Sequence, residues 1–133
     1  MRRSLRMKIR ERANYACEYC GWPDWFTPVT FSLDHVVPSV LNGSDGMENR
    51  AYSCPGCNGY KHDDIEARDP ASGELARFYN PRTDDWNAHF AWSFDGIQIV
   101  GISPTGRATV MRLRLNRPEV LLMRQILPGI PRP

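Results

Sequence analysis

Asp34 and His35 stand side by side between two Cys-x-x-Cys pairs, Cys17-Glu18-Tyr19-Cys20 and Cys54-Pro55-Gly56-Cys57, with asparagines at Asn49 and Asn58. Two such pairs separated by a loop are spaced for tetrahedral Zn²⁺. Four thiolates leave no open coordination position, so that metal would be structural and would contribute folding free energy outright. Disulfides are the competing reading, and the paired spacing favours metal. The polar set between the pairs has a different use. Hydrolysis of a phosphodiester needs a base for the attacking water and a hard cation to stabilise the charge that develops on oxygen. An imidazole suits the base. A carboxylate with an amide oxygen suits Mg²⁺, which takes few protein oxygens and keeps several waters.

These groups must be positioned by a small chain. At 133 residues it holds one domain, or a small domain with an extension, and its core is thin enough for a structural metal to matter. All four cysteines fall in the two pairs, and no apolar run reaches the length of a membrane span or a signal segment. Reduced, metal-bound thiols fit a cytoplasmic protein, and no membrane association is expected. Net charge is only +2, but the 15 arginines outnumber the two lysines and gather at the ends. Residues 1–12 carry Arg2, Arg3, Arg6, Lys8, Arg10 and Arg12 against Glu11, and residues 107–132 are basic apart from Glu119. Two basic ends around an acidic middle could track a duplex backbone; ordinary solvated helix faces are the alternative.

The fold class expected is α+β. Residues 4–16 read as a helix with Ser4 as N-cap and Leu5, Ile9, Ala13 and Ala16 on one stripe. Residues 30–33 alternate like a short strand that feeds Asp34-His35. Neighbours on a strand point to opposite faces, unless the break at Pro38 intervenes. Residues 47–53 read as a helical turn carrying Asn49, and residues 55–68 as a helix opened by the second cysteine pair. Asp95-Gly96 marks a hairpin between residues 89–94 and 97–102. From Thr105 onward the pattern fits a strand or a helix. The helix is preferred, with Thr105 as cap and Ala108, Met111 and Leu115 inward, because Asn116-Arg117-Pro118-Glu119 looks like the start of another helix reaching about Leu127. Trp86, Phe90 and Trp92 are expected to pack against the first half, with base stacking as the lesser reading. His89 is read as a core histidine, and His62 as facing away from the site.

Asp34-His35-Val36-Val37-Pro38, Glu48-Asn49 and Cys54-Pro55-Gly56-Cys57-Asn58-Gly59-Tyr60-Lys61 together resemble the HNH endonuclease family over roughly residues 17–63. The resemblance implies a zinc-stabilised ββα-metal finger, residues 1–68 here. Residues 69–133 would form a hairpin-plus-helix extension packed on it; that tail more weakly resembles an extension of some bacterial HNH proteins. It also implies roles. His35 would be the general base, Asn49 would brace the loop presenting it, and Asp34 and Asn58 would ligate a catalytic cation. Asn58 at the motif's last position makes this an HNN variant, for which Mg²⁺ or Mn²⁺ is implied beside Zn²⁺ on Cys17, Cys20, Cys54 and Cys57. Lys61, three residues after Asn58 on one helix face, could contact a substrate phosphate, though a solvated lysine has the same spacing. The reading is a metal-dependent endonuclease acting on DNA, taken as duplex. The rival is a zinc-stabilised nucleic-acid-binding module without catalysis. Salt-sensitive binding with no cleavage would distinguish it.

Overall fold

The computed structural model describes residues 2–128. Helix α1 spans Leu5–Arg12, and Ser4 caps it by accepting a hydrogen bond from the Met7 amide at 3.1 Å. It stops short of the expected residue 16 because Asn14 and Tyr15 both take left-handed backbone angles. That reversal turns the chain into the first cysteine pair, where the Cys17 amide bonds the Trp22 carbonyl at 2.8 Å and Ala16 bridges Pro23.

Strands β1 (Ser32–His35) and β2 (Arg50–Ser53) form an antiparallel pair in the register Leu33 opposite Tyr52 and Asp34 opposite Ala51. Two expectations shift here. The first strand lies two residues later than read, so Asp34 and His35 are inside it. Only Met47–Asn49 forms a helical turn, of 3-10 type, and β2 takes the rest of residues 47–53. Partner strand pairing and the Phe31–Tyr52 ring contact at 4.9 Å outweigh local propensity there. Helix α2 (Pro55–Lys61) starts at Cys54, whose Sγ accepts from the Cys57 amide, with Pro55 in the first turn. It is half the length expected. His62, with φ 53° and ψ −138°, ends it, and β3 (Glu66–Arg68) pairs antiparallel with β4 (Leu75–Arg77).

Helix α3 (Trp86–His89) leads into the hairpin of β5 (Phe90–Trp92) and β6 (Ile99–Gly101), whose strands are shorter than expected. The connection is not the two-residue Asp95-Gly96 turn but a loop over residues 93–98, where the Gly96 amide bonds the Ser93 carbonyl at 2.8 Å and Gly96 takes φ +73°. Helix α4 (Pro104–Leu113) settles the ambiguity after residue 105 in favour of helix. Its cap is Ser103, not Thr105, and Met111 faces solvent while Ala108, Leu113 and the following Leu115 are buried. Gly106 permits the close approach of α4 to α3: a Cβ there would lie 1.9 Å from the His89 carbonyl oxygen. Helix α5 (Pro118–Ile126) begins at Arg117, as read. Among the described residues no helix is long and apolar enough to cross a membrane.

One core unites the chain. Ile9, Phe31, Tyr52 and the four cysteines share it with Phe78, Trp86, Phe90, Ile99, Leu113, Val120 and Met123. The aromatic patch packs as expected, Trp86 stacking on Trp92 at 5.7 Å and meeting Phe90 at 5.3 Å. His89 is bonded through Nδ1 to Ser103 Oγ at 2.7 Å. The basic ends, in contrast, are mostly internal fasteners. Arg6 donates to the Phe31 carbonyl, Arg12 to Met47 and Arg50 carbonyls, Arg107 doubly to Asp69, and Arg112 to Asp64. Arg132 lies outside the described residues.

Arg124 is the most consequential fastener. Its fully buried guanidinium donates to the carbonyls of Cys20 (3.1 Å), Leu115 (2.7 Å) and Ile97 (2.9 Å), tying α5 to the first cysteine pair. Arg124→Met keeps the bulk but leaves several buried acceptors without a donor. Each orphaned group costs about 1–3 kcal/mol, so urea unfolding should show a loss of about 3 kcal/mol or more. A change below about 0.5 kcal/mol would show that these bonds do not hold α5 in place.

Candidate active site and zinc knuckle

The four cysteine sulfurs lie within 4.8 Å of one another, with Cys20 and Cys54 3.6 Å apart, and all four residues are buried. Sulfurs at the corners of a tetrahedron with Zn–S bonds of about 2.3 Å stand about 3.8 Å apart. A disulfide needs sulfurs at about 2.0 Å. The cluster therefore fits zinc, not two bridges. Backbone amides of Tyr19, Cys20 and Cys57 point at the sulfurs, and Arg117 donates to Cys54 Sγ at 3.3 Å and Cys57 Sγ at 3.6 Å. The thiolates next to it hold the Arg117 guanidinium firmly protonated against the cost of burial. Gly56 leaves room for this contact, since a Cβ there would sit 2.5 Å from Arg117 Nη2.

On the α2 side of β1, Asp34 is buried against the helix. Its Oδ2 accepts from the Tyr19 hydroxyl at 2.9 Å, and the Lys61 ammonium lies 3.2 Å from Oδ2 and 3.4 Å from Oδ1. Burial pushes the Asp34 carboxyl above the ordinary range, and the charge of Lys61 is the largest force opposing that rise. Lys61 is only 1% exposed and also donates to the His35 carbonyl at 3.2 Å. Its ammonium is thus turned inward to Asp34, away from any phosphate in solvent. Spacing along the helix could not distinguish these outcomes.

His35, next in the strand, is only partly covered, and its Nε2 lies 2.8 Å from Oδ1 of Asp45 in the following loop. The hydrogen bond from His35 holds Asp45 below its usual carboxylate range. That loop is pinned by Asn49: Oδ1 accepts from the Val37 amide at 2.9 Å, and Nδ2 donates to the Val37 carbonyl at 2.9 Å and the Ser44 carbonyl at 2.7 Å. Gly43 makes the closure possible, because a Cβ there would fall 1.7 Å from the Val37 carbonyl oxygen.

Asp34, His35 and Asn58 border one open cleft of about 540 Å³, together with Pro38, Val40, Gly59, His62 and Asp63. His62 lies on this cleft, not away from it, because the helix ends beneath it and its backbone leaves the helical path. Residues 17–64 match the family model described as HNH endonuclease. This segment is an HNH domain. No curated protein and no solved structure matches the chain.

Within the HNH domain, sequence reasoning missed Asp45 and Tyr19. Asp45 was visible only as half of an Asp-Gly turn; its position ten residues after His35, in a loop closed by Asn49, was the available signal. Tyr19 was hidden inside the first cysteine pair, where spacing drew notice only to sulfur.

Proposed function

We propose that this protein is a metal-dependent endonuclease that hydrolyses phosphodiester bonds of DNA. The observation that carries the reading is the convergence of Asp34, His35 and Asn58 on one open cleft within an HNH domain. The donor set fits a hard cation: an Asp34 carboxylate retains acceptor capacity beyond Tyr19 and Lys61, and Asn58 adds an amide oxygen. When bound there, Mg²⁺ or Mn²⁺ supplies Lewis-acid stabilisation of the charge on phosphoryl and leaving oxygens.

The chain's own residues do the rest. Hydrogen bonding of Nε2 to the ionised Asp45 fixes the His35 tautomer and leaves Nδ1 with its lone pair for a water. As that water's oxygen bonds to phosphorus, its proton passes to Nδ1 and the bond from phosphorus to the 3′ oxygen breaks. The 3′ oxygen takes a proton from solvent, leaving 3′-hydroxyl and 5′-phosphate ends. Asn49 keeps the loop, and with it Asp45, in register with His35. Lys61 and Tyr19 orient Asp34 and favour its ionised form.

Plasmid DNA incubated with Mg²⁺, Mn²⁺ or Ni²⁺ tests the reading. Nicking supports it; salt-sensitive binding without nicking in any metal supports the non-catalytic binding module instead. Lys61→Met gives a finer check. Without the ammonium, the pKa of Asp34 rises further, so the acid limb of the pH–rate profile moves to higher pH. The Mg²⁺ concentration for half-maximal rate should increase about 10- to 100-fold. An unchanged metal requirement would remove Lys61 from that role.

A further inference from the structure

Beyond the catalytic cleft, the segment that precedes β1 lines a second recess. Arg6, Met7 and Arg10 of α1, Asp24 and Trp25, residues 27–31 and Tyr52 line it, with a volume of about 310 Å³. The recess ends at Phe31 and the cleft begins at Ser32, the first residue of β1, so the two adjoin along the chain. Trp25 is 63% exposed there, while its neighbour Phe26 packs inward on Trp22 at 5.8 Å. An edge contact with Phe26 at 6.1 Å steadies the exposed ring beside the recess. Two guanidiniums are preset around it. Arg6 is anchored on the neutral Phe31 carbonyl and keeps its charge, while Arg10 is held by its ion pair with Asp24. Both are thus positioned at little further ordering cost, and the recess keeps a net positive charge. An aromatic face within a cationic rim matches a stacked base flanked by phosphates.

We infer that Trp25 forms a nucleobase subsite, with Arg6 and Arg10 beside it, that holds the substrate strand away from the cut. The inference rests on the endonuclease reading for its substrate.

The test uses full-length protein carrying His35→Ala, so that binding is read without cleavage. Anisotropy of a labelled duplex with a single-stranded tail gives Kd in Mg²⁺, and zinc content and thermal midpoint confirm folding. Trp25→Ala should weaken binding about 5- to 100-fold, and Trp25→Phe should stay within about threefold. Phe94→Ala, at the exposed tip of the β5–β6 hairpin, should change nothing. An abasic nucleotide walked along the strand should cost the parent affinity at one position and cost the Trp25→Ala protein nothing there. If the parent binds and Trp25→Ala binds equally, the subsite is wrong and the endonuclease reading stands. If the parent binds no DNA in any form, both fall.

Discussion

A His35→Ala protein should lose plasmid nicking in Mg²⁺ by about 10²- to 10⁴-fold, the range that a general base contributes, while remaining folded. In the proposed mechanism the loss follows from the only imidazole in β1: its Nε2 is committed to Asp45, which would leave Nδ1 to accept the proton of the attacking water. Folding should survive because His35 is partly exposed and its side-chain partner is a carboxylate on the surface loop. Surface substitutions of this kind usually change stability by less than about 0.5 kcal/mol. Nicking rate and thermal midpoint measured on one preparation separate the two effects. Nicking at the parent rate would strip His35 of the base role, and a collapsed midpoint would reassign it to structure.

Removal of zinc is expected to unfold the whole described chain, not the finger alone. Structural zinc in small fingers contributes about 10–16 kcal/mol, against about 5–15 kcal/mol of net stability for a typical domain. Here the cysteines also sit inside the common core, and Arg117 and Arg124 tie α5 directly to both pairs. A strong chelator should abolish the single cooperative thermal transition and release one Zn²⁺ per chain, and Cys57→Ser should behave alike. Two separate transitions, one of them indifferent to chelator, would mean that the C-terminal half folds independently. An unchanged melt with no zinc in the protein would exclude the metal.

The arginines show how far composition can mislead. Read along the chain, the two basic ends look like a track for a phosphate backbone. In space Arg107, Arg112, Arg117 and Arg124 are each paired within the protein, because a guanidinium with five donors is also the best buried fastener for carbonyls, carboxylates and thiolates. Charge counts cannot separate these uses. Lys61 makes the same point within the site, since three residues of helix place it near Asn58 but only the sheet packed beneath decides that it faces Asp34.

The cysteine cluster, the α+β class, a hairpin around Asp95-Gly96 and the final helix opening at Pro118 were all legible in the residues alone, while the stretch after Thr105 fitted a strand as well as the helix it forms. Each legible feature rests on short-range rules, whether ligand spacing, turn chemistry or caps, that act before any long-range contact forms. The sequence also named Asp34, His35, Asn49 and Asn58, because a motif keeps residue type and order together. Where α1 and α2 stop, that residues 50–53 are a strand, and which charges are internal came instead from contacts between distant segments. These outcomes depend on partners tens of residues away: β1 for β2, β4 for β3, and the zinc knuckle for Arg117 and Arg124. Asp45 belongs to the same group. Its carboxylate meets His35 only because Asn49 folds the intervening loop back on Val37, a closure that spacing alone does not encode.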